Sequence, residues 1–348
     1  MSQGRTYVSA LRADIQRRST GSLVVWGGSA IVLAGLTLLT LVLNTGLFID
    51  NLVGGIVYGM ILVMISLGLA LILGLMNVVN FAHGALFMLG AYIGLQVVGR
   101  LEISFWLALL VAPLVVGLVG IIMEVLVLRF IYGAEPIVGL LATFALTLML
   151  EETVRFIWGS SPQSFQTPDI LGQPVSLGVT TVSAYRLFTV AVAVVAVLAT
   201  YVLVTRTNFG LDVRAGVQDA EMTQVLGVNL PIRFTATFFL GAALAGLGGV
   251  LRGGEVGMQP DLGTSFIILA FIVVVVGGVG SLFGSVVAGL LIGVARFTVP
   301  TMLQTLAEVT SQPAIAIRGI GGLVPYLVMI VILLVRPRGL FGREGFLE

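Results

Sequence analysis

The chain holds one histidine, His83, in the run Asn80-Phe81-Ala82-His83-Gly84, with another amide, Asn77, just ahead. These polar side chains interrupt hydrophobic sequence running from Ile56 to Leu75 before them and from Ala85 to Val98 after them. Hydrocarbon offers no hydrogen-bond partner, so a polar break of this kind must be satisfied by protein, water or a ligand. Two chemistries suit these residue types. A helix that starts at the break presents free backbone N–H groups, which with the amides can hold a substrate carboxylate. Alternatively, the imidazole can relay protons with the acids Glu124 and Glu151 of neighbouring hydrophobic runs. The plainer reading, in which the side chains only cap and brace a helix junction, stands beside both.

A second break, Gly277-Gly278-Val279-Gly280-Ser281, repeats the pattern of helix, small polar interruption and helix, and Gly84 and Gly284 each open the next hydrophobic run. Paired breaks of this kind are a common way to build a transport site from an internal repeat. The remaining charges are sparse. Glu151 and Arg155 stand four apart, the spacing of an ion pair on one helix face. Glu124 and Arg296 are deeper and need partners of their own.

What positions these residues is a membrane-spanning bundle. Hydrophobic residues make up 58% and charged residues 9% of the 348, more apolar surface than a water-soluble core requires. The net charge of +1 argues against nucleic acid as a partner, and zero cysteines exclude disulfides and thiolate chemistry. Every basic residue is arginine, so a phosphate-binding loop with its lysine and a Schiff-base lysine are both excluded. One histidine and no cysteine leave little for a metal site, and none is expected.

Hydropathy and length predict about ten helices, at 23–43, 51–75, 84–99, 105–129, 136–158, 185–205, 233–251, 264–281, 284–303 and 319–335. Four arginines before the first run, then Arg129, Arg206, Arg214, Arg233, Arg336, Arg338 and Arg343, fall on one side. That bias places both termini in the cytoplasm, with a tail at 1–22 and another at 336–348. The span at 23–43 is too long for a signal-peptide core and is expected to be retained ahead of a transmembrane unit at 44–335. Two loops are long. The outer one, 159–184, is rich in Ser, Thr, Gln and Pro. The inner one, 206–233, is charged, and Val213 to Leu226 reads as one short amphipathic helix stopped by Asn229 and Pro231.

In this order the motifs resemble the permeases of branched-chain amino acid ABC importers, the LivH/LivM type. The resemblance runs from Asn51 to Arg343. It is carried by Gly68-Leu69-Ala70, Gly74-Leu75-Met76 and Asn77 to Gly84, by Met88 to Tyr92, and by Gly210 through Leu226-Gly227-Val228-Asn229. Gly257-x-x-Pro260-x-x-Gly263, Gly277 to Gly284 and Arg336 to Arg343 complete it. The chain departs where Ala85 replaces the family's usual acid, and the first span looks like an addition to the shorter members.

The resemblance implies an all-α permease of the cytoplasmic (inner) membrane that takes up branched-chain or hydrophobic amino acids by alternating access. Urea, short amides and small carboxylates are the alternative cargo, and an ion-coupled secondary transporter the alternative class. The implied partners are a second permease, LivM-like, two cytoplasmic ABC ATPases that bind the ATP and Mg, a periplasmic binding protein, and membrane lipid; the chain itself needs no cofactor. Asn77, Asn80, Phe81, His83, Gly84, Gly277, Gly278, Gly280 and Ser281 would lie on the path. Asp212, Arg214, Asp219, Glu221, Leu226 and Gly227 would couple to the ATPases. Asp169, Gln259, Pro260 and Asp261 would dock the binding protein.

Overall fold

The computed structural model describes residues 34–76, 79–132 and 134–342. Asn77, the N-terminal tail, residues 23–33 of the first hydrophobic run and Arg343 lie outside the described residues.

The fold is a helical bundle. Seven described helices are long and apolar enough to cross a membrane, and three shorter apolar helices accompany them. In chain order they are α1 (Ala34–Leu43), α2 (Thr45–Met76), α3 (Ala82–Leu95), α4 (Phe105–Leu126), α5 (Pro136–Trp158) and, after a four-residue turn of helix α6 (Asp169–Gly172), α7 (Ala184–Arg206). Two short helices, α8 (Asn208–Gln218) and α9 (Ala220–Val225), precede α10 (Leu230–Val256), α11 (Leu262–Gly277), α12 (Leu282–Thr310) and α13 (Ile320–Val335). Where the structure describes them, the predicted spans recur within a few residues, the first only from Ala34 on, with α2, α10 and α12 longer than hydropathy placed them.

The element at the centre is α2. From Val57 to Leu73 its side chains are almost all buried, and α12, α10, α11 and α7 pack along it. Helices α3 and α10 complete the interior, while α4, α5 and α7 leave apolar faces such as Leu110, Leu118, Phe144 and Val195 exposed, as lipid contact requires. Glycine sets the spacing. Gly249 lies against the carbonyl of Phe87 and Gly90 against Gly246, each too closely for a Cβ, so α3 and α10 touch backbone to backbone.

Each end of α10 is tied to its neighbours by charge. At its start Arg233 pairs with Asp212 of α8 at 2.9 Å. Beside that pair, buried Glu124 of α4 accepts two bonds from Arg129, at 3.2 and 3.0 Å, and one from Thr235 at 2.8 Å. This hydrogen bonding raises the Arg129 pKa, and burial together with the same carboxylate raises that of Tyr132. At the other end Glu255 accepts from Arg252 at 2.7 Å and lies 3.7 Å from Arg186, which pairs with Asp50 of α2 at 3.1 Å.

The loops differ from the sequence expectation in two places. The inner loop is two helices, not one. Asp219 is extended (φ −152°, ψ 96°) and its carboxylate accepts the Met222 N–H at 2.8 Å, capping α9 and splitting the run. Asn229 and Pro231 open α10 rather than merely stopping the helix before them, since Asn229 caps the Ile232 N–H. The outer loop carries a small antiparallel hairpin, β1 (Pro174–Ser176) with β2 (Thr181–Ser183), pairing Val175 with Val182.

Candidate functional site

Both breaks exist, at different depths. The His83 Nε2 lies 3.0 Å from the carbonyl oxygen of Ile65. Ile65 stands eleven residues before the end of α2. At 1.5 Å per residue that is about 16 Å, roughly half a bilayer's hydrocarbon thickness. Helix α3 thus begins alongside the middle of α2, preceded by residues 79–81. Thr143 of α5 supports this segment by donating to the Val79 carbonyl at 3.2 Å.

At that start, both polar side-chain atoms of Asn80 and the Nδ1 of His83 are buried and have no hydrogen-bond partner among the described residues. Such groups are rare because each forfeits its water without replacement, at a cost of about 1–3 kcal/mol. Phe81 faces Phe271 of α11 at 5.1 Å between ring centroids. Gly84 lies against the carbonyl of Gly263, so α3 and α11 also touch through backbone.

The second break forms a tight reversal. Gly278 and Gly280 take positive φ (100° and 79°), and the Ser281 hydroxyl caps α12 by accepting the Gly284 N–H at 3.0 Å. Gly277 abuts the backbone of Gly284, and Gly280 that of Gly74, near the inner end of α2. The chain's end closes over it: Leu340 and Phe341 N–H groups donate to the Val276 and Gly277 carbonyls at 2.8 and 3.0 Å. The structure thus separates Asn80 and His83 from Gly277, Gly278, Gly280 and Ser281 by about 13 Å along α2, nine residues from Ile65 to Gly74. Sequence reasoning missed the tail contact, whose only signal is Gly339 and Gly342 between two arginines.

Helix α11 connects the inner break with the outer surface. Asp261, Thr264, Ser265 and Ile268 are exposed and Phe271, Val275 and Val279 half-buried, a stripe at helical spacing from the outer loop to the second break. Its outer end is fixed by a bridge between Gln163 and Met258, two backbone bonds of 2.9 and 2.8 Å. That bridge brings the loop bearing Asp169 against the turn bearing Gln259, Pro260 and Asp261. Gln259, Asp261 and Asp169 are exposed and Pro260 is buried.

In the charged loop between α7 and α10, Arg214 donates to the Val204 carbonyl and Asp212 holds Arg233, so both brace α8. The free surface is α9 and the turn after it: Glu221 is exposed, as are Met222, Val225 and Leu226, and Gly227 takes a positive φ of 89°.

One expected pairing falls otherwise, and the two deeper charges find separate partners. Arg155 bonds Glu152, not Glu151, and Glu151 turns instead to Thr264 of α11. Glu124 pairs with Arg129, while Arg296 lies over the Tyr58 ring at 4.9 Å. His83, Glu124 and Glu151 each bond to different groups, so they form no continuous relay. Among the described residues no cluster of three or more His, Cys, Asp or Glu is arranged to hold a metal.

The family model for the permease component of branched-chain amino acid transport systems matches residues 51–333. A high-affinity branched-chain amino acid transport permease, LivH of Salmonella typhimurium, is 28% identical over 85% of this chain and 96% of its own length. BraD of Pseudomonas aeruginosa is 27% identical over 85% and 96%, and a probable LivH of Methanocaldococcus jannaschii 27% over 83% and 91%. No solved structure matches the chain.

Proposed function

The chain belongs to the branched-chain amino acid transport permease family, and from that premise we propose that it forms the translocation path of an ATP-driven importer of branched-chain and other hydrophobic amino acids. The observation that carries the reading is the buried, unpartnered amide of Asn80 beside His83 at the head of α3. A substrate carboxylate passing there would meet a helix N-terminus and an amide N–H, the donors such a group needs in a low-dielectric interior, while the His83 ring, its Nε2–H directed at the Ile65 carbonyl, presents Nδ1 as an acceptor. The site is closed to solvent here, as an alternating-access transporter is in its resting or occluded phase.

The exposed stripe of α11 supports a path along that helix, covered by a second permease, because the exposed polar residues Asp261, Thr264 and Ser265 suit a wet or protein-covered face better than lipid. Met222, Val225 and Leu226, exposed on a helix outside the predicted spans, suit insertion into a groove of an ATPase subunit. ATP and its Mg would be bound there and not in this chain. The outer surface around Asp169, Gln259 and Asp261 suits a periplasmic binding protein. The scattered bonding of His83, Glu124 and Glu151 speaks against the ion-coupled alternative. The arginine distribution supports a cytoplasmic-membrane location with both termini inside.

The test is to purify the tagged chain from native membranes and reconstitute the proteins that accompany it. The expected outcome is recovery of a second permease, two ATPases and a binding protein, with leucine uptake that requires ATP and is blocked by vanadate. Recovery of the chain alone, with uptake abolished by a protonophore and indifferent to vanadate, would overturn the reading.

A further inference from the structure

Two acids are buried among the described residues, Glu124 and Glu151. Glu124 has Arg129. Glu151, 7% exposed, has no cationic partner among the described residues, because Arg155 has gone to its exposed neighbour Glu152. The partner Glu151 does have is the hydroxyl of Thr264, which donates at 2.5 Å across the α5–α11 contact. A carboxylate taken out of water is retained at a cost unless it finds a counter-charge, and within a transporter such a group usually marks the pathway.

Its surroundings indicate which counter-charge. Glu151 stands fifteen residues into α5, about 22 Å from that helix's inner end, and so in the outer part of the bundle. Thr264, its partner, is exposed on the stripe of α11 that also carries Ser265 and Ile268. The carboxylate therefore lies one hydrogen bond behind the surface along which, on the reading above, substrate moves. It adjoins the head of α3, since Thr264 follows Gly263, whose backbone lies against Gly84. A zwitterionic amino acid brings a primary ammonium as well as a carboxylate, and at the head of α3 the ammonium would meet only neutral acceptors, the Asn80 Oδ1 and the His83 Nδ1.

We propose that Glu151, beside Thr264 of α11, is the ammonium-binding group of the substrate site at the head of α3, where the substrate carboxylate is held by Asn80 and the helix N-terminus. The inference rests on the amino acid importer reading and adds a recognition element to it.

The experiment uses the complete complex in proteoliposomes, with Glu151→Gln, Glu151→Asp and Thr264→Ala compared with wild type. Glu151→Gln is expected to lower leucine uptake about tenfold, the loss typical of a charge-assisted hydrogen bond, while the second permease still copurifies and the binding protein still stimulates ATP hydrolysis. Glu151→Asp should restore part of the uptake, and Thr264→Ala, which keeps the carboxylate, should lower uptake less than Glu151→Gln does. 3-Methylbutylamine, which keeps the ammonium and the side chain, should inhibit wild type and not Glu151→Gln. Normal uptake by Glu151→Gln overturns the proposal. Equal losses in Glu151→Gln and Thr264→Ala overturn it in favour of an interhelical brace, and loss of the second permease in favour of an ion pair between subunits. Failure of the wild-type complex to take up any amino acid would instead remove the importer reading itself.

Discussion

Asn80 is costly to the folded protein. Its amide is buried with neither donor nor acceptor used among the described residues. Removing the amide therefore has opposite consequences for stability and for transport. Asn80→Leu is expected to raise thermal stability in detergent, by up to about 1–3 kcal/mol if the leucine fits, and to abolish leucine uptake. An Asn80→Leu variant that transports normally would reduce the amide to packing. Asn80 and His83 were legible in the sequence because polar residues inside a hydrophobic run have few ordinary explanations. The environment of Glu151 was not. Arg155 was within helical reach of both Glu151 and Glu152, and the residue that settles the choice, Thr264, lies 113 positions away.

At the scale of elements, the split of the inner loop at Asp219 matters most. One capped turn holds α9 apart from α8, and α9 carries the exposed apolar residues. Asp219→Ala should cost about 1 kcal/mol of local stability through the lost cap. Glu221→Arg should leave the fold intact. Both are expected to reduce copurification of the ATPases; unchanged recovery of the ATPases with both variants would remove α9 from the coupling surface. The charged loop was visible as an amphipathic stretch, but its break was not, since Asp is tolerated in a helix and becomes a cap only through its backbone angles. The glycine-mediated contact of α3 with α10 is a second case. Many span glycines announce close packing, yet only the fold shows that Gly90 meets Gly246 and Gly249 meets Phe87. Gly249→Leu should abolish the folded peak in size-exclusion chromatography, whereas Leu at Gly322, which has open space around it, should not.

For the whole molecule, orientation can be tested directly because the chain has zero cysteines. A cysteine at Leu177, in the outer hairpin, should react with an impermeant maleimide in intact cells, and one at Gln224 only after permeabilisation; the reverse would invert the topology. The count and order of apolar helices were readable from hydropathy, since each is a local property of its own segment. The tail that closes over the second break was not, because it is held through main-chain bonds from Leu340 and Phe341, which leave no side-chain signature. One dimension of the bundle reaches beyond the protein. Helix α13 has 16 residues, about 24 Å of helix against a hydrocarbon core of about 30 Å, and it turns Leu323, Leu327, Ile330 and Leu334 outward. Central α2, with 32 residues, is about twice as long. Where lipid meets the α13 flank the bilayer is expected to thin, which would make acyl-chain length a control on the transporter. Reconstitution in a series of phosphatidylcholines should show fastest uptake in short-chain lipid, whereas a rate independent of chain length would mean that another subunit shields α13 from the membrane.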